Sequence, residues 1–128
     1  MLKFIKKYHN VDNGLLLLRI GLALVFMWHG WGKIQNMEAT AGFFSSLGLN
    51  MFWVWVVAWV EFLGGIALLV GLLSRLAALA LAVNMFFAIY LVQWSRGWAG
   101  YEFELMLLLA LLAVHLAGPG RYAITKRI

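Results

Sequence analysis

The chain has 128 residues, of which 65% are hydrophobic and only 12% charged, and its mean hydropathy is +0.90. Water-soluble domains carry about 25% charged residues, so the composition excludes an ordinary soluble enzyme and points to a chain whose solvent is lipid. The net charge of +5 does not mark a nucleic-acid binder, because Lys3, Lys6, Lys7, Arg121, Lys126 and Arg127 flank apolar segments, where anionic headgroups lie; the lack of cysteine excludes disulfides, thiol catalysis and cysteine-ligated metal centres.

A hydrocarbon core about 30 Å thick takes about 20 apolar residues per helix, and the chain has room for four crossings in a single domain over residues 1–128. Residues 1–12 form a basic, partly amphipathic lead-in. The first crossing spans residues 13–32, with Asp12 or Asn13 as its cap. A basic start before an apolar stretch also suits a signal peptide, with Ala39-Thr40-Ala41 as a formal cleavage site. Arg19 interrupts that stretch, however, and a polar gap from His29 to Glu38 precedes the site, so the segment reads as a retained helix.

In residues 35–50, Met37, Ala41 and Phe44 fall on one stripe, with Glu38, Ser45 and Ser46 away from it. This pattern predicts a short interfacial helix, ended by Gly48-Leu49-Asn50. The second crossing spans residues 52–72, and a tight Leu73-Ser74-Arg75 turn leads into the third, residues 76–94. A loop over residues 95–100 precedes the fourth, residues 101–116, which Gly118-Pro119-Gly120 stops. The expected fold is all-α, an integral membrane antiparallel four-helix bundle.

Basic residues set the expected orientation. The N-terminus, the Arg75 turn and the C-terminal tail hold seven of the lysines and arginines, against Lys33 and Arg96 in the other two loops, which predicts a multi-pass cell-membrane protein with both termini cytoplasmic. Trp28, Trp31, Trp53, Trp55, Trp94 and Trp98 fall near the outer helix ends, with Trp59 deeper. Two readings stand: an interfacial aromatic belt, or an aromatic mouth that admits a flat lipophilic ring.

A charge near the bilayer centre costs at least about 2.5–3.5 kcal/mol, so it must be paired, hydrated or useful. Arg19, His29, Glu61, Asn84, Glu102, Glu104 and His115 lie at such depths, with Lys33 at the outer edge. At about 100° per residue, Arg19, His29 and Lys33 project within an arc of about 80°, a polar stripe that must face the bundle interior. Glu61 shares its side with Gly64, Gly65 and Gly71, small residues that admit a neighbouring helix. Glu104 and His115 share one face of the last crossing, and Glu102 points nearly the opposite way. In the structural reading, Arg19 and Glu61 form a buried ion pair with Asn84 as a hydrogen-bond partner, and His115 is satisfied locally. In the functional reading, His29 and Lys33 present an imidazole and an ammonium opposite carboxylates, which suits binding and protonating an oxygen of a quinone or another small anion.

Several stretches resemble the DoxX family of small four-helix membrane proteins. Leu18-Arg19-Ile20-Gly21 and His29-Gly30-Trp31-Gly32-Lys33-Ile34 are similar to its opening helix. The likeness continues through Glu61-Phe62-Leu63-Gly64-Gly65, Gly71-Leu72-Leu73-Ser74-Arg75-Leu76-Ala77 and Tyr101-Glu102-Phe103 to Gly118-Pro119-Gly120-Arg121-Tyr122. The resemblance covers nearly the whole chain, and the matching polar positions are Arg19, His29, Lys33, Glu61, Arg75 and Glu102. The acidic residue usual after the Gly-x-Gly turn is absent, because Ala123-Ile124-Thr125 follows Tyr122. The family takes its name from a membrane subunit of a thiosulfate:quinone oxidoreductase, and other members are linked to oxidative-stress complexes.

The resemblance implies a membrane subunit of a quinone-linked redox system. Its expected catalytic residues are Glu61, Glu102 and Glu104, with His29, Lys33, Arg19 and Asn84 binding the ligand. Quinone is the implied cofactor, no metal or covalent group is expected, and a redox partner protein or a second copy of the chain is the implied protein partner. The family pattern favours Glu102 and the helix geometry favours Glu104, so both stay in the set. Two alternatives stand beside this expectation: a non-enzymatic scaffold or assembly factor with structural polar residues, and a small transporter or proton-conducting bundle.

Overall fold

The computed structural model describes residues 2–126 and 128. The lead-in is itself helical: α1 (Leu2–Tyr8) buries no residue. Asn10, in extended conformation, caps α2 (Val11–Gln35), its side chain accepting from Asn13 N at 2.9 Å. The cap therefore lies ahead of the expected Asp12 or Asn13. Asp12 instead occupies the first turn, where its Oδ1 accepts from Arg121 N at 3.1 Å. A brief break at Asn36 leads into α3 (Met37–Ser46), the expected short helix, which buries only Phe44. Then come α4 (Met51–Val70), α5 (Ser74–Ala88) and α6 (Trp98–Ala117). Between α5 and α6 the chain stays helical but changes pitch, as a π-helical turn over Ile89–Gln93 and a 3₁₀ turn over Trp94–Arg96.

Four segments are long and apolar enough to cross a membrane: Val11–Gln35, Met51–Val70, Ser74–Arg96 and Trp98–Ala117. They run alternately up and down as an antiparallel bundle, and no strand occurs among the described residues. Their outward surface is apolar, with Leu17, Leu24, Leu63, Leu76, Val83, Phe86, Met106 and Leu109 exposed where acyl chains would lie. Inside, Leu22, Phe26, Leu68, Leu81, Met85, Leu111 and Val114 pack as one core.

The most extensive helix contact joins α2 to α4. It is a crossing of small residues. A Cβ added at Gly30 would stand 2.8 Å from Phe62 Cα, and one at Gly65 would stand 2.9 Å from Met27 N and 3.1 Å from Ala23 O. The backbones are thus in direct contact, which a bilayer rewards through packing because lipid tails supply no hydrophobic drive between helices.

At the end of the bundle that carries both termini, Arg19 does the joining. It is 1% exposed. Its Nε donates to Leu68 O (2.9 Å), Nη2 to Leu69 O (3.2 Å), and Nη1 to Pro119 O (3.0 Å) and Tyr122 O (2.8 Å). The guanidinium therefore sits at the C-terminal, negative end of α4 and holds the chain that follows α6 against it. That tail continues along the α4–α5 turn, with Thr125 N donating to Gly71 O at 3.0 Å. Gly71 has φ +74, and a Cβ there would meet Ala123 and the guanidinium of Arg19. These contacts correct the expected Arg19–Glu61 ion pair: backbone carbonyls take the donors of Arg19, and Glu61 lies elsewhere.

Two substitutions test this account. Gly30→Val should destabilise the bundle by about 1–3 kcal/mol or more, because Phe62 backbone cannot yield, whereas Gly32→Ala, with nothing within 4 Å of its Cβ, should be neutral or stabilising. Thermal unfolding in detergent measures both. Arg19→Leu should free the tail, and trypsin should then cut after Arg121 several times faster than in wild type.

Candidate functional site

At the opposite end of the bundle a cavity of about 280 Å³ opens between α2, α4, the α5 segment with its π-helical turn, and α6. Its deep wall is apolar, with Phe26, Val57, Met85 and Leu107. Phe43, Phe44, Leu47 and Leu49, from α3 and the turn after it, cover one side. The expected interfacial helix therefore also walls a cavity, which explains why Phe44 alone on it is buried.

Polar groups converge here from four elements. His29 and Lys33 come from α2, Glu61 from α4, Asn84 from α5 and Glu104 from α6. Lys33 Nζ lies 2.8 Å from Glu61 Oε1, with side chains 27% and 4% exposed. The close crossing produces this pair, since Lys33 follows Gly30 by one turn and Glu61 precedes Gly65 by one turn on the facing helix. Glu61 is thus held by Lys33 rather than by Arg19, and the pair neutralises itself inside the bundle.

Two polar atoms of the cavity-lining residues have no partner among the described residues. Glu104 Oε2 and Asn84 Nδ2 are buried and hydrogen-bonded to nothing, although both residues line the cavity. Buried polar groups are almost always satisfied, and an orphaned one costs about 1–3 kcal/mol. A carboxyl and an amide thus stand unsatisfied in the lining of one cavity, where a polar ligand could engage them. Asn84 Nδ2 therefore donates to neither member of the expected Arg19–Glu61 pair.

The structure brings His29, Lys33, Glu61, Asn84 and Glu104 together and leaves two expected site residues outside. Arg19 lies at the other end, its donors committed to carbonyls. Glu102 is exposed and does not line the cavity, as the opposite projection of Glu102 and Glu104 on one helix requires. His115 also lies at the termini end, where its Nδ1 sits 3.0 Å from Arg75 O and Arg75 Nη1 donates to His115 O at 3.1 Å. It is satisfied locally, as the structural reading has it.

The tryptophans are not the mouth. All seven are exposed and none lines the cavity, whose rings are Phe26, Phe43, Phe44, Phe87 and Phe103. Of the two readings, the belt fits their placement. Sequence reasoning missed Gln93 and Arg96, which reach the cavity from the π-helical and 3₁₀ turns. Apolar periodicity carries no signal for such a change of pitch.

The DoxX family model matches residues 14–94 of this chain. The chain belongs to the DoxX family. The matched region carries His29, Lys33, Glu61 and Asn84, while Glu104 lies beyond it. Among the similar proteins, one from Bacillus subtilis (strain 168), named "Putative oxidoreductase CatD", is 38% identical over 112 residues, covering 87% of this chain and 82% of that protein. Another, from Escherichia coli (strain K12), is named "Inner membrane protein YqjF". It is 31% identical over 119 residues, covering 90% of this chain and 92% of that protein. No solved structure matches the chain. This is therefore a multi-pass membrane protein of the DoxX family, built to live in a lipid bilayer.

The ion pair and the orphaned atoms predict opposite stability effects. Glu61→Gln strands Lys33 and should cost toward the lower end of about 3–5 kcal/mol, because Lys33 is 27% exposed. The double variant Lys33→Met with Glu61→Leu should recover most of that loss. Glu104→Leu removes a buried acceptor that has no partner, so its stability should equal or exceed wild type. Thermal unfolding of the four proteins in one detergent decides the matter.

Proposed function

We propose that the chain is a membrane subunit of a quinone-linked redox system, resembling that of a thiosulfate:quinone oxidoreductase, and that the cavity holds a quinone ring or a small anion. One observation carries this reading: buried Glu104 Oε2 and Asn84 Nδ2 stand unpartnered in a cavity that also holds the Lys33–Glu61 pair. The word "oxidoreductase" in the name of the Bacillus subtilis relative supports it.

His29, Lys33 and Asn84 supply donors to a ligand oxygen, Glu61 relays protons to it, and Glu104 accepts a hydrogen bond from a ligand hydroxyl. The chain has no cysteine, so electrons reach the ring from a redox partner protein of the same membrane. The ring enters between helices from the lipid, its tail left among the acyl chains. The lysine and arginine distribution supports an orientation with both termini in the cytoplasm, which sets the cavity near the outer face.

The direct test is equilibrium dialysis of the purified chain, in detergent, against a short-chain benzoquinone. Saturable binding to wild type is expected, weakened about tenfold in Asn84→Leu, which removes an amide donor at a cost of about 1.4 kcal/mol. Binding that never saturates, or that is the same in both proteins, would discard the proposal.

A further inference from the structure

The two unpartnered atoms say more about the ligand than that it is polar. Asn84 Nδ2 is a donor and needs an oxygen, whereas Glu104 Oε2 is a carboxyl acceptor and needs a hydrogen. A hydroxyl group answers both, since its oxygen accepts while its hydrogen is donated. A quinone carbonyl answers only Asn84 and would set oxygen against oxygen at Glu104. A sulfur oxyanion such as thiosulfate has no hydrogen to give and meets the same conflict with a full negative charge.

The surrounding charges agree. Lys33, the cation that would attract an anion, is already joined to Glu61 at 2.8 Å, so the pair offers no spare positive charge. Arg96 lines the cavity too, but it is exposed, where solvent screens it. The volume of about 280 Å³ falls just below the range of about 300–1,000 Å³ typical of small-molecule pockets. One substituted ring fits, with its lipid tail outside.

Resting on the ring-binding reading above, we propose that the site selects the reduced, dihydroxy form of the ring, with one hydroxyl bridging from Asn84 Nδ2 to Glu104 Oε2. Glu104 is the residue that discriminates, because it alone of the two requires the hydrogen that the oxidised ring lacks. Asn84 serves both forms. The cavity is then a holding site for a hydroquinone in the bilayer, and small oxyanions are turned away from it.

Equilibrium dialysis of the full chain in detergent tests this with three probes: a short-chain benzoquinone, its hydroquinone kept reduced under argon, and sodium thiosulfate as competitor. Wild type should bind the hydroquinone about tenfold more tightly than the quinone, equivalent to about 1.4 kcal/mol. Thiosulfate should displace neither. In Glu104→Leu the preference should fall below about twofold, through weaker hydroquinone binding and relief of the conflict with the quinone carbonyl. Asn84→Leu should instead weaken both forms together and leave their ratio intact. Glu104→Gln presents an amide that can accept from the hydroquinone or donate to the quinone, so it too should lose most of the preference, which covers the case in which the leucine variant does not fold. Equal, saturable affinities for the two forms in wild type, or a preference that survives Glu104→Leu, would overturn the selection while leaving ring binding in place. If neither ring form binds wild type at all, the ring-binding reading falls and takes the selection with it.

Discussion

The bundle depends on backbone contact between α2 and α4. Gly30 against Phe62 and Gly65 against Met27 leave no room for a Cβ, and that closeness fixes what the neighbouring turns can reach. A lysine stem on one helix and a short carboxylate on the other meet because the axes are near enough at this level. Wider spacing would leave Glu61 facing either lipid or an empty interior, and in hydrocarbon neither is tolerable for a charged group. Close packing and charge compensation are therefore one design, with the glycines as the enabling residues.

The polar residues of the spans divide into two populations with different economies. At the termini end the long-range hydrogen bonds of Arg19, Arg75 and His115 close on backbone. Arg19 gathers four carbonyls from two parts of the chain, and Arg75 and His115 exchange hydrogen bonds with each other's main chain. Arg19 is thereby consumed by the fold, while Arg75 Nε and Ser74 Oγ stay unpartnered among the described residues beside these contacts. At the far end the accounting is open: one ion pair is closed, and an acceptor and a donor are left over. The two ends differ in where their unpartnered atoms lie: Asn84 and Glu104 line the cavity, whereas Ser74 and Arg75 do not.

The crossings were legible because lipid imposes a length and a composition that few other environments do. Each of the four expected spans overlaps an observed helix, and the differences lie at the ends. Asn10 starts α2 earlier than Asp12 or Asn13 would, and the pitch change after Ala88 carries the third crossing on to Arg96. Which polar residues meet was much less legible. Pairing Arg19 with Glu61 assumed that a charge seeks an opposite charge, but the partners of Arg19 are carbonyls, which no residue type advertises. Along its own helix Lys33 lies at the outer edge. Its reach to Glu61 depends on how α2 and α4 cross, and that is a tertiary property. Helical projection did separate Glu104 from Glu102 correctly, since both lie on one helix and their relative direction is local.

The π-helical turn after Ala88 has an effect on how this helix is built. Trp94 N reaches back five residues to Ile89 O, so the turn holds one residue more than an α-helical turn and rotates everything beyond it by about 100° relative to a continuous helix. Below the turn, Leu81 and Met85 answer to the packed core. Gln93, within it, and Arg96, beyond it, reach the cavity that Asn84, Met85 and Phe87 line from below the turn. The extra residue works as a phase shifter that uncouples the two halves of a single helix, so side chains in the upper half can vary while the lower half keeps its register.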